Sequence, residues 1–483
     1  MANKKYYITT TIPYVNAEPH IGFALEIIQA DCLARYHRIL GEKVFHNFGT
    51  DEHGLKVYQK AQEAKKDPQE YVDEYAKKYK GLKKALNLEY DAFIRTTDPN
   101  HVKAAQAFWK LCDKKGDIYK KSYKTKYCVG CELEKTDSEL IDGFCEFHPG
   151  KPLEIIEEEN YFFRFSKYQK PLLDLYKNNP KFVVPSHRLK EIKTFVQSGL
   201  KDFSISRLKK KLPWGIPIPG DPEHVMYVWF DALINYISTL GWPDENKLYK
   251  DYWPGVQTAG KDNLRQQSAI WQAMLLSADL PTTKQIFIHG FINSGGERMS
   301  KSLGNVIDPF EYAKDYGTDA LRYYLLAKIH PWDDSDFTKE KFEKEYQADL
   351  ANGLGNLVSR VAKLAEKNKF DITKFKPIIK KERLLDKVGF FLKKYDFLLA
   401  AGLIWNSIGT LDKWLSDERP WLLNASEANR KLGEIIVGSE AIDSLLEIAE
   451  ALKPFLPETA EIIENQFKGP KIKSAPPLFP RLP

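Results

Sequence analysis

"YYITTTIPYVNAEPHIGFALEIIQADCLARYHRILGEKVFHNF", Tyr6 to Phe48, carries the pattern on which the fold turns. Its first residues, Tyr6 to Ile12, are aromatic or β-branched, which predicts a strand. Leu25, Ile28, Cys32, Tyr36 and Ile39 then recur at helical spacing, predicting a helix over Phe23 to Leu40 that Gly41 ends. Lys43 to Phe48 is a second strand. Strand, loop, helix, strand is one βαβ unit, and such units build parallel sheets with ligands at the strands' carboxyl ends. His20, Ile21 and Gly22 stand where loop meets helix. A helix N-terminus offers unpaired N–H groups and partial positive charge, which favour phosphate, and glycine lets a ligand approach the backbone. An imidazole there, neutral or protonated, can donate to a phosphoryl oxygen. Taken alone, a histidine at a helix start is more often a cap or a surface group.

Helices are predicted from there to about Lys115, with Gly116 as a stop. Over residues 117–222 the helical periodicity breaks: a cysteine cluster, short strands and the acidic run Glu157–Glu159 read as an insertion. "HVMYVWFDALINYI" (His224 to Ile237) resumes a strand–helix pattern, and "KQIFIHGF" (Lys284 to Phe291) is another buried strand. The sum is a Rossmann-like fold in two halves split by an inserted module. Beyond about residue 340 the strands vanish. Leu350, Leu354, Leu357, Val361 and Leu364 make one helical stripe, with others in Leu384–Trp405 and Ile442–Leu456, so a helical bundle is expected. The proline-rich, basic tail "FKGPKIKSAPPLFPRLP" is expected to run extended over the surface. The expected division is 1–116 and 223–295 for the two sheet halves, 117–222 for the insertion, 296–345 for a linking region and 346–483 for the bundle.

The 483 residues are 43% hydrophobic and 29% charged, and no apolar run is long enough to span a membrane. The start, "MANKKYYITTTIPY", is basic and then strand-like, without an apolar signal core, so a cytoplasmic location is expected. A net charge of +6 permits a polyanionic partner without requiring one. Five cysteines do not make a disulfide framework, and Cys32 and Cys112 read as small core residues. The other three belong to the series Cys128-x2-Cys131-x13-Cys145-x2-His148. Paired ligands on two short loops suit tetrahedral zinc, and four protein ligands leave no open position, which makes the metal structural. One zinc per chain would hold together a small module with little core of its own.

"GGERMSKSLGN", Gly295 to Asn305, is the second segment that suits phosphate. Two glycines suggest a mobile loop, Arg298 and Lys301 bring positive charge to a triphosphate, and Ser300 and Ser302 add hydroxyls. A basic surface loop is the plainer alternative. Together, "HIGF" and "RMSKS" resemble the two signatures of class I aminoacyl-tRNA synthetases, HIGH and KMSKS, about 280 residues apart and in that order. "TIPYVNAEPHIG", "GTDEHG" (Gly49 to Gly54), "YVWFDALINY" (Tyr227 to Tyr236), "GKDNLR" (Gly260 to Arg265) and "IFIHGF" narrow the resemblance to the methionyl-tRNA synthetase family, over essentially the whole chain.

The resemblance implies a class I synthetase Rossmann-like parallel sheet, split by a zinc-bearing insertion lying near the tRNA acceptor end, and followed by an α-helical anticodon-binding bundle. It implies methionine–tRNA ligase activity on ATP, methionine and tRNA(Met), initiator and elongator alike. His20 and Lys301 would stabilise the phosphoryl transition state, with Gly22, Arg298, Ser300 and Ser302 also on ATP and Mg²⁺ on its phosphates. Methionine is apolar and polarisable, so its pocket should have aromatic walls; the resemblance puts Ile12, Tyr14, Trp229, Leu233, Tyr236 and His289 around it and Asp51 on its ammonium. Without the family, Trp229 and Tyr236 read as core residues. Asn356 and Arg360, four apart on one helical face, and Trp421 would read the anticodon. Three departures stand out: Phe23 for the second signature histidine, Arg298 for the first KMSKS lysine, and Asp412 where relatives often carry asparagine. Synthetases for leucine, isoleucine or valine carry an editing domain that residues 117–222 cannot hold. A non-catalytic tRNA-binding paralogue with a decayed ATP site is the alternative that Phe23 favours. The chain ends soon after the bundle, without the domain by which some relatives dimerise, so a monomer is expected.

Overall fold

The structure, a computed structural model, describes residues 4–135, 137–244, 247–299, 304–367, 382–420 and 440–482. They form two compact units: Met1–Pro19, Glu42–Lys83 and Glu89–His289 in one; His20–Gly41, Lys84–Leu88 and Gly290–Pro483 in the other. Eight strands matter to the site: β1 (Lys5–Thr9), β2 (Lys43–Thr50), β3 (Ala92–Arg95), β4 (Ile118–Cys128), β5 (Glu154–Phe163), β6 (Val183–Val184), β7 (Val256–Gly260) and β8 (Gln285–His289). The helices used below are α1 (Ile21–Ile39), α2 (Pro99–Lys114), α3 (Val228–Ala232), α4 (Thr318–Ala327), α5 (Asn356–Lys367), α6 (Phe397–Glu418) and α7 (Pro457–Phe467).

In the first unit six strands form one sheet in the order β3-β2-β1-β7-β8-β6, every neighbouring pair parallel. Tyr7, Ile8 and Thr9 of β1 are all buried, without alternation, as a parallel strand covered on both faces requires. The order runs outward from β1 to β2 and β3 on one side and to β7 and β8 on the other. Such a reversal opens a crevice at the strands' carboxyl ends. One face packs on an aromatic core in which Phe108 of α2 stacks on Trp271 at 5.7 Å and Trp109 meets Phe230 edge-on. Where the sequence predicts only helices before Lys115, Ala92–Arg95 is a strand: four residues show no period, and pairing from Asn47↔Ala92 to Thr50↔Arg95 defines them. α2 does stop at Gly116, whose φ is +74°. Antiparallel β4 and β5 start the expected insertion, and the acidic run lies opposite the basic side of β4, with Lys124 and Glu157 paired at 2.8 Å. Val183–Val184, also within 117–222, joins the main sheet beside β8.

In the second unit α1 is buried along most of its length, with Cys32 fully enclosed. Leu350, Leu354, Leu357 and Val361 are fully buried, so the predicted stripe is the inner face of the bundle. Beyond Phe467 the described part of the tail forms no helix or strand and is mostly exposed, as expected, but it is pinned at two points. Ile472 and Phe479 are buried, and the Tyr346 hydroxyl donates to the Pro480 carbonyl at 2.8 Å, so two apolar residues anchor the proline-rich stretch. Among the described residues no helix is long and apolar enough to cross a membrane.

Candidate functional site

The carboxyl edge of the sheet gathers the residues expected to hold an amino acid. The chain leaves β1 through Ile12 and Tyr14, leaves β2 through Asp51, and ends β8 on His289. A Cβ added at Gly260, the end of β7, would lie 3.7 Å from His289 Nε2, so that imidazole rests against a bare backbone. The Asp51 amide donates to the Pro13 carbonyl at 2.8 Å and the Val15 amide to the Asp51 carbonyl at 3.1 Å, which fixes the two loops side by side. α3 brings Trp229 edge-on to Tyr14, ring centroids 6.0 Å apart. Asp51 Oδ1, the Tyr14 hydroxyl and Trp229 Nε1 are buried and have no hydrogen-bond partner among the described residues. Leaving such atoms unpaired costs about 1–3 kcal/mol each, so they mark where a ligand's polar groups belong. Burial, with the Asp231 and Glu132 carboxylates, raises the Asp51 carboxyl well above its usual range; a cation set beside it would reverse that. Leu233 and Tyr236 are each 1% exposed and belong to the apolar core, Tyr236 against Trp271 at 5.9 Å.

In the second unit the two phosphate-type segments adjoin. His20 caps α1 in an extended conformation; its carbonyl accepts from the Phe23 and Ala24 amides, and the Ile21 amide is taken by the Ile307 carbonyl at 3.0 Å. A Cβ at Gly22 would meet His20 Cε1 at 3.1 Å and Met299 Cε at 3.7 Å. A side chain here would crowd the imidazole, so glycine lets it lie over the helix start, with Met299 of the second signature at ordinary contact distance. His20 Nδ1 is buried without a partner among the described residues, and burial holds the imidazole down to about 4. It is neutral at pH 7, with one nitrogen a donor and the other an acceptor. Gly295 and Gly296, which open the expected loop, turn a two-residue hairpin at φ +65° and +82°, joining Asn293–Ser294 to Glu297–Arg298. Arg298 is exposed, its guanidinium over the Phe291 ring. Ser300, Lys301 and Ser302 lie outside the described residues.

Cys128, Cys131, Cys145 and His148 converge, their donor atoms all within 4.8 Å of one another. Cys131 Sγ lies 3.3 Å from both other sulfurs, and His148 Nδ1 lies 3.6, 3.6 and 3.9 Å from Cys128, Cys131 and Cys145. Tetrahedral bonds of about 2.0–2.3 Å put ligand atoms about 3.3–3.8 Å apart, so the four residues can hold a metal ion. Gly130 makes the approach feasible: a Cβ there would fall 2.4 Å from His148 Cδ2. On α5, Asn356 is exposed and Arg360 half-buried one turn on. Arg360 forms an ion pair with Asp412 of α6 and donates to Ser416 Oγ at 3.3 Å, so the departure at Asp412 bears on Arg360 directly. Trp421 lies outside the described residues.

Some residues beside the pocket went unread in the sequence. Glu132, next to Cys131, is fully buried; its carboxylate accepts from the Lys56 amide at 2.7 Å and the Tyr127 hydroxyl at 2.8 Å, and its carbonyl accepts from the Tyr227 hydroxyl. His53 and His101 flank Asp231 in the same unit. For Asp231 the available signal was a carboxylate inside the otherwise apolar and aromatic "YVWFDALINY"; His53, in the polar "GTDEHG", gave none.

Comparison with known proteins adds four findings. A family model described as tRNA synthetases class I (M) matches residues 6–147 and 130–362. The chain is 42% identical over 471 residues to the methionine–tRNA ligase of Thermotoga maritima, covering 95% of this chain and 74% of that one. It is 40% identical to that of Brucella suis biovar 1, covering 95% and 91%. Among solved structures, Mycobacterium tuberculosis methionyl-tRNA synthetase in complex with methionyl-adenylate superposes with a TM-score of 0.92 at 35% identity, covering 99% of this chain and 100% of that one.

Proposed function

We propose that this chain, which belongs to the methionyl-tRNA synthetase family of class I aminoacyl-tRNA synthetases, is a methionine–tRNA ligase. The observation that carries the reading is the buried, unpaired Asp51 oxygen beside the aromatic walls of Tyr14 and Trp229 at the carboxyl edge of a parallel sheet. Asp51 takes the ammonium of methionine, and the thioether side chain lies against the aromatic rings, with Ile12 and His289 completing the pocket and Leu233 and Tyr236 packed behind its wall. The methionine carboxylate then attacks the α-phosphate of ATP; pyrophosphate leaves and methionyl-adenylate remains. A ribose hydroxyl of the tRNA's terminal adenosine attacks the activated carbonyl, and AMP leaves. Positioning and charge stabilisation suffice, and no side chain forms a covalent bond. Neutral His20 donates to a phosphoryl oxygen, Gly22 permits close approach, and Arg298, Ser300, Lys301 and Ser302 bind the triphosphate, whose charge Mg²⁺ offsets.

Cys128, Cys131, Cys145 and His148 would hold one Zn²⁺, which ties the inserted module together and has no position left for substrate. Residues 346–483 read the anticodon of initiator and elongator tRNA through Asn356, Arg360 and Trp421. The enzyme works as a cytoplasmic monomer. Pyrophosphate exchange into ATP, measured with each amino acid in turn, tests the reading: exchange is expected with methionine alone. Exchange with leucine, isoleucine or valine instead would move the chain to another specificity, and none with any amino acid would leave a non-catalytic tRNA-binding protein.

A further inference from the structure

We infer that Asp231, clasped between His53 and His101, is a positioning residue that fixes the two walls of the methionine pocket, the Asp51 loop and the Trp229 helix, in one relation. The inference rests on the methionine-binding reading of that pocket. Asp231 is fully buried on α3, two residues after Trp229. Its two oxygens each meet a ring nitrogen at 2.7 Å: Oδ2 faces His53 Nδ1 and Oδ1 faces His101 Nε2. An ionised carboxylate only accepts, so both of these nitrogens carry hydrogen. Burial alone would raise the Asp231 carboxyl, but the two imidazoles outweigh it and hold the group below its usual range. His101 Nδ1 lies 2.9 Å from Ser238 Oγ, and that hydroxyl also faces the Asn235 carbonyl at 3.4 Å.

Each end of this chain reaches a different wall. His53 lies two residues after Asp51, and its backbone amide hydrogen-bonds the Asp51 carboxylate. Its ring is backed by Trp214 at 5.4 Å, whose indole N–H donates to the Glu52 carbonyl at 2.6 Å. His101 stands on α2, fully buried in the wall of the core. Asp231 thereby ties the loop that presents the ammonium-binding carboxylate, the helix that presents Trp229, and the core behind both. A buried polar network with every member satisfied specifies one geometry; cut at one point, it leaves buried groups unpaired and the walls free to shift.

Amide isosteres test the geometry without removing the Asp231 charge that Asp51 feels. The asparagine amide nitrogen overlays histidine Nδ1, and that of glutamine overlays Nε2. In methionine-dependent pyrophosphate exchange with the full-length, zinc-loaded enzyme, His53→Ala should raise the methionine KM at least tenfold and leave the ATP KM within twofold. His53→Asn should restore the methionine KM to within threefold and His53→Gln should not. At His101 the preference should cross over, with Gln restoring and Asn failing. If the alanine variants do not fold, this crossed preference alone decides. The inference is overturned by equal effects of Asn and Gln at both positions, or by methionine and ATP KM rising together. Wild-type protein without methionine-dependent exchange would instead sink the reading of the pocket itself.

Discussion

Asp51 carries a charge that the fold alone disfavours. Burial raises its carboxyl well above the usual range, so the unliganded protein holds that proton to higher pH than the unfolded chain does. The sign follows: the stability tied to protonated Asp51 is complete below the unfolded value and is lost as pH rises through the folded one. An ammonium ion beside the carboxylate reverses the shift, so methionine binding releases a proton. The methionine KM is therefore expected to fall as pH rises above the ordinary carboxylate range, and the rise in Tm given by saturating methionine is expected to grow over the same span. Asp51→Asn should raise the KM and flatten both trends; trends that survive it would assign them to another group. His20 behaves oppositely. Its imidazole, held down to about 4, is neutral over the working range. Exchange rates at saturating substrates should show no inflection between pH 6 and 7, where a free histidine would titrate. His20→Ala should slow adenylate formation by roughly 10²-fold, the cost of one preorganised donor. Phe23→His, which installs a smaller ring in the first helical turn, should be tolerated without a loss of that size; a comparable loss would make Phe23 part of the phosphate site.

At the scale of elements, the cysteine–histidine module is held by few apolar contacts of its own: Ile141 and Ile155 are 60% and 56% exposed. Its order should therefore depend on metal. Cys145→Ser is expected to lower zinc content and open residues near 131–148 to protease. Gly130→Ala should do the same more mildly, because its Cβ would press 2.4 Å from the His148 ring. Elemental analysis with limited proteolysis reads both, and full protection of a zinc-free protein would refute the structural role. What could be read in advance divides along the same line. The β1–α1–β2 unit was legible because nineteen helical residues sit between two runs of buried strand. The cysteine–histidine cluster was legible because its spacing is local. β3 was not, since pairing with β2 rather than a period makes it a strand. The hairpin at Gly295–Gly296 was missed because the two residues a type I′ turn needs are also those of a flexible loop. His53, His101 and Asp231 stand 48 to 178 positions apart, and no local pattern joins them.

The molecule as a whole poses a problem of connectivity, because its second unit is assembled from three separate stretches: His20–Gly41, Lys84–Leu88 and Gly290–Pro483. Arg322 of α4 joins all three. Fully buried, it pairs with Asp31 of α1 at 2.8 Å and donates to the Leu86 carbonyl at 3.1 Å. It also donates to the Pro454 and Phe455 carbonyls, at 3.0 and 2.8 Å, just before α7. A buried ion pair by itself is weak evidence of stability, since desolvation offsets most of the attraction. The deciding consideration is what removal leaves behind. Arg35 would still hold Asp31 at 2.8 Å, but three buried carbonyls from two stretches would lose their donor at once. Breaking such a site costs about 3–5 kcal/mol, which in a unit of this size is a fall in Tm on the order of 10 °C. Arg322→Leu is expected to show that fall and to shorten the half-life of pyrophosphate exchange on heating, because His20 rides on α1. Exchange at 25 °C should stay near wild type, as Arg322 has no part in the chemistry. Arg322→Lys should not rescue: a single ammonium cannot reach acceptors on three sides as the planar fork does. A lysine variant as stable as wild type would mean that charge alone, and not the fork, holds the three stretches together.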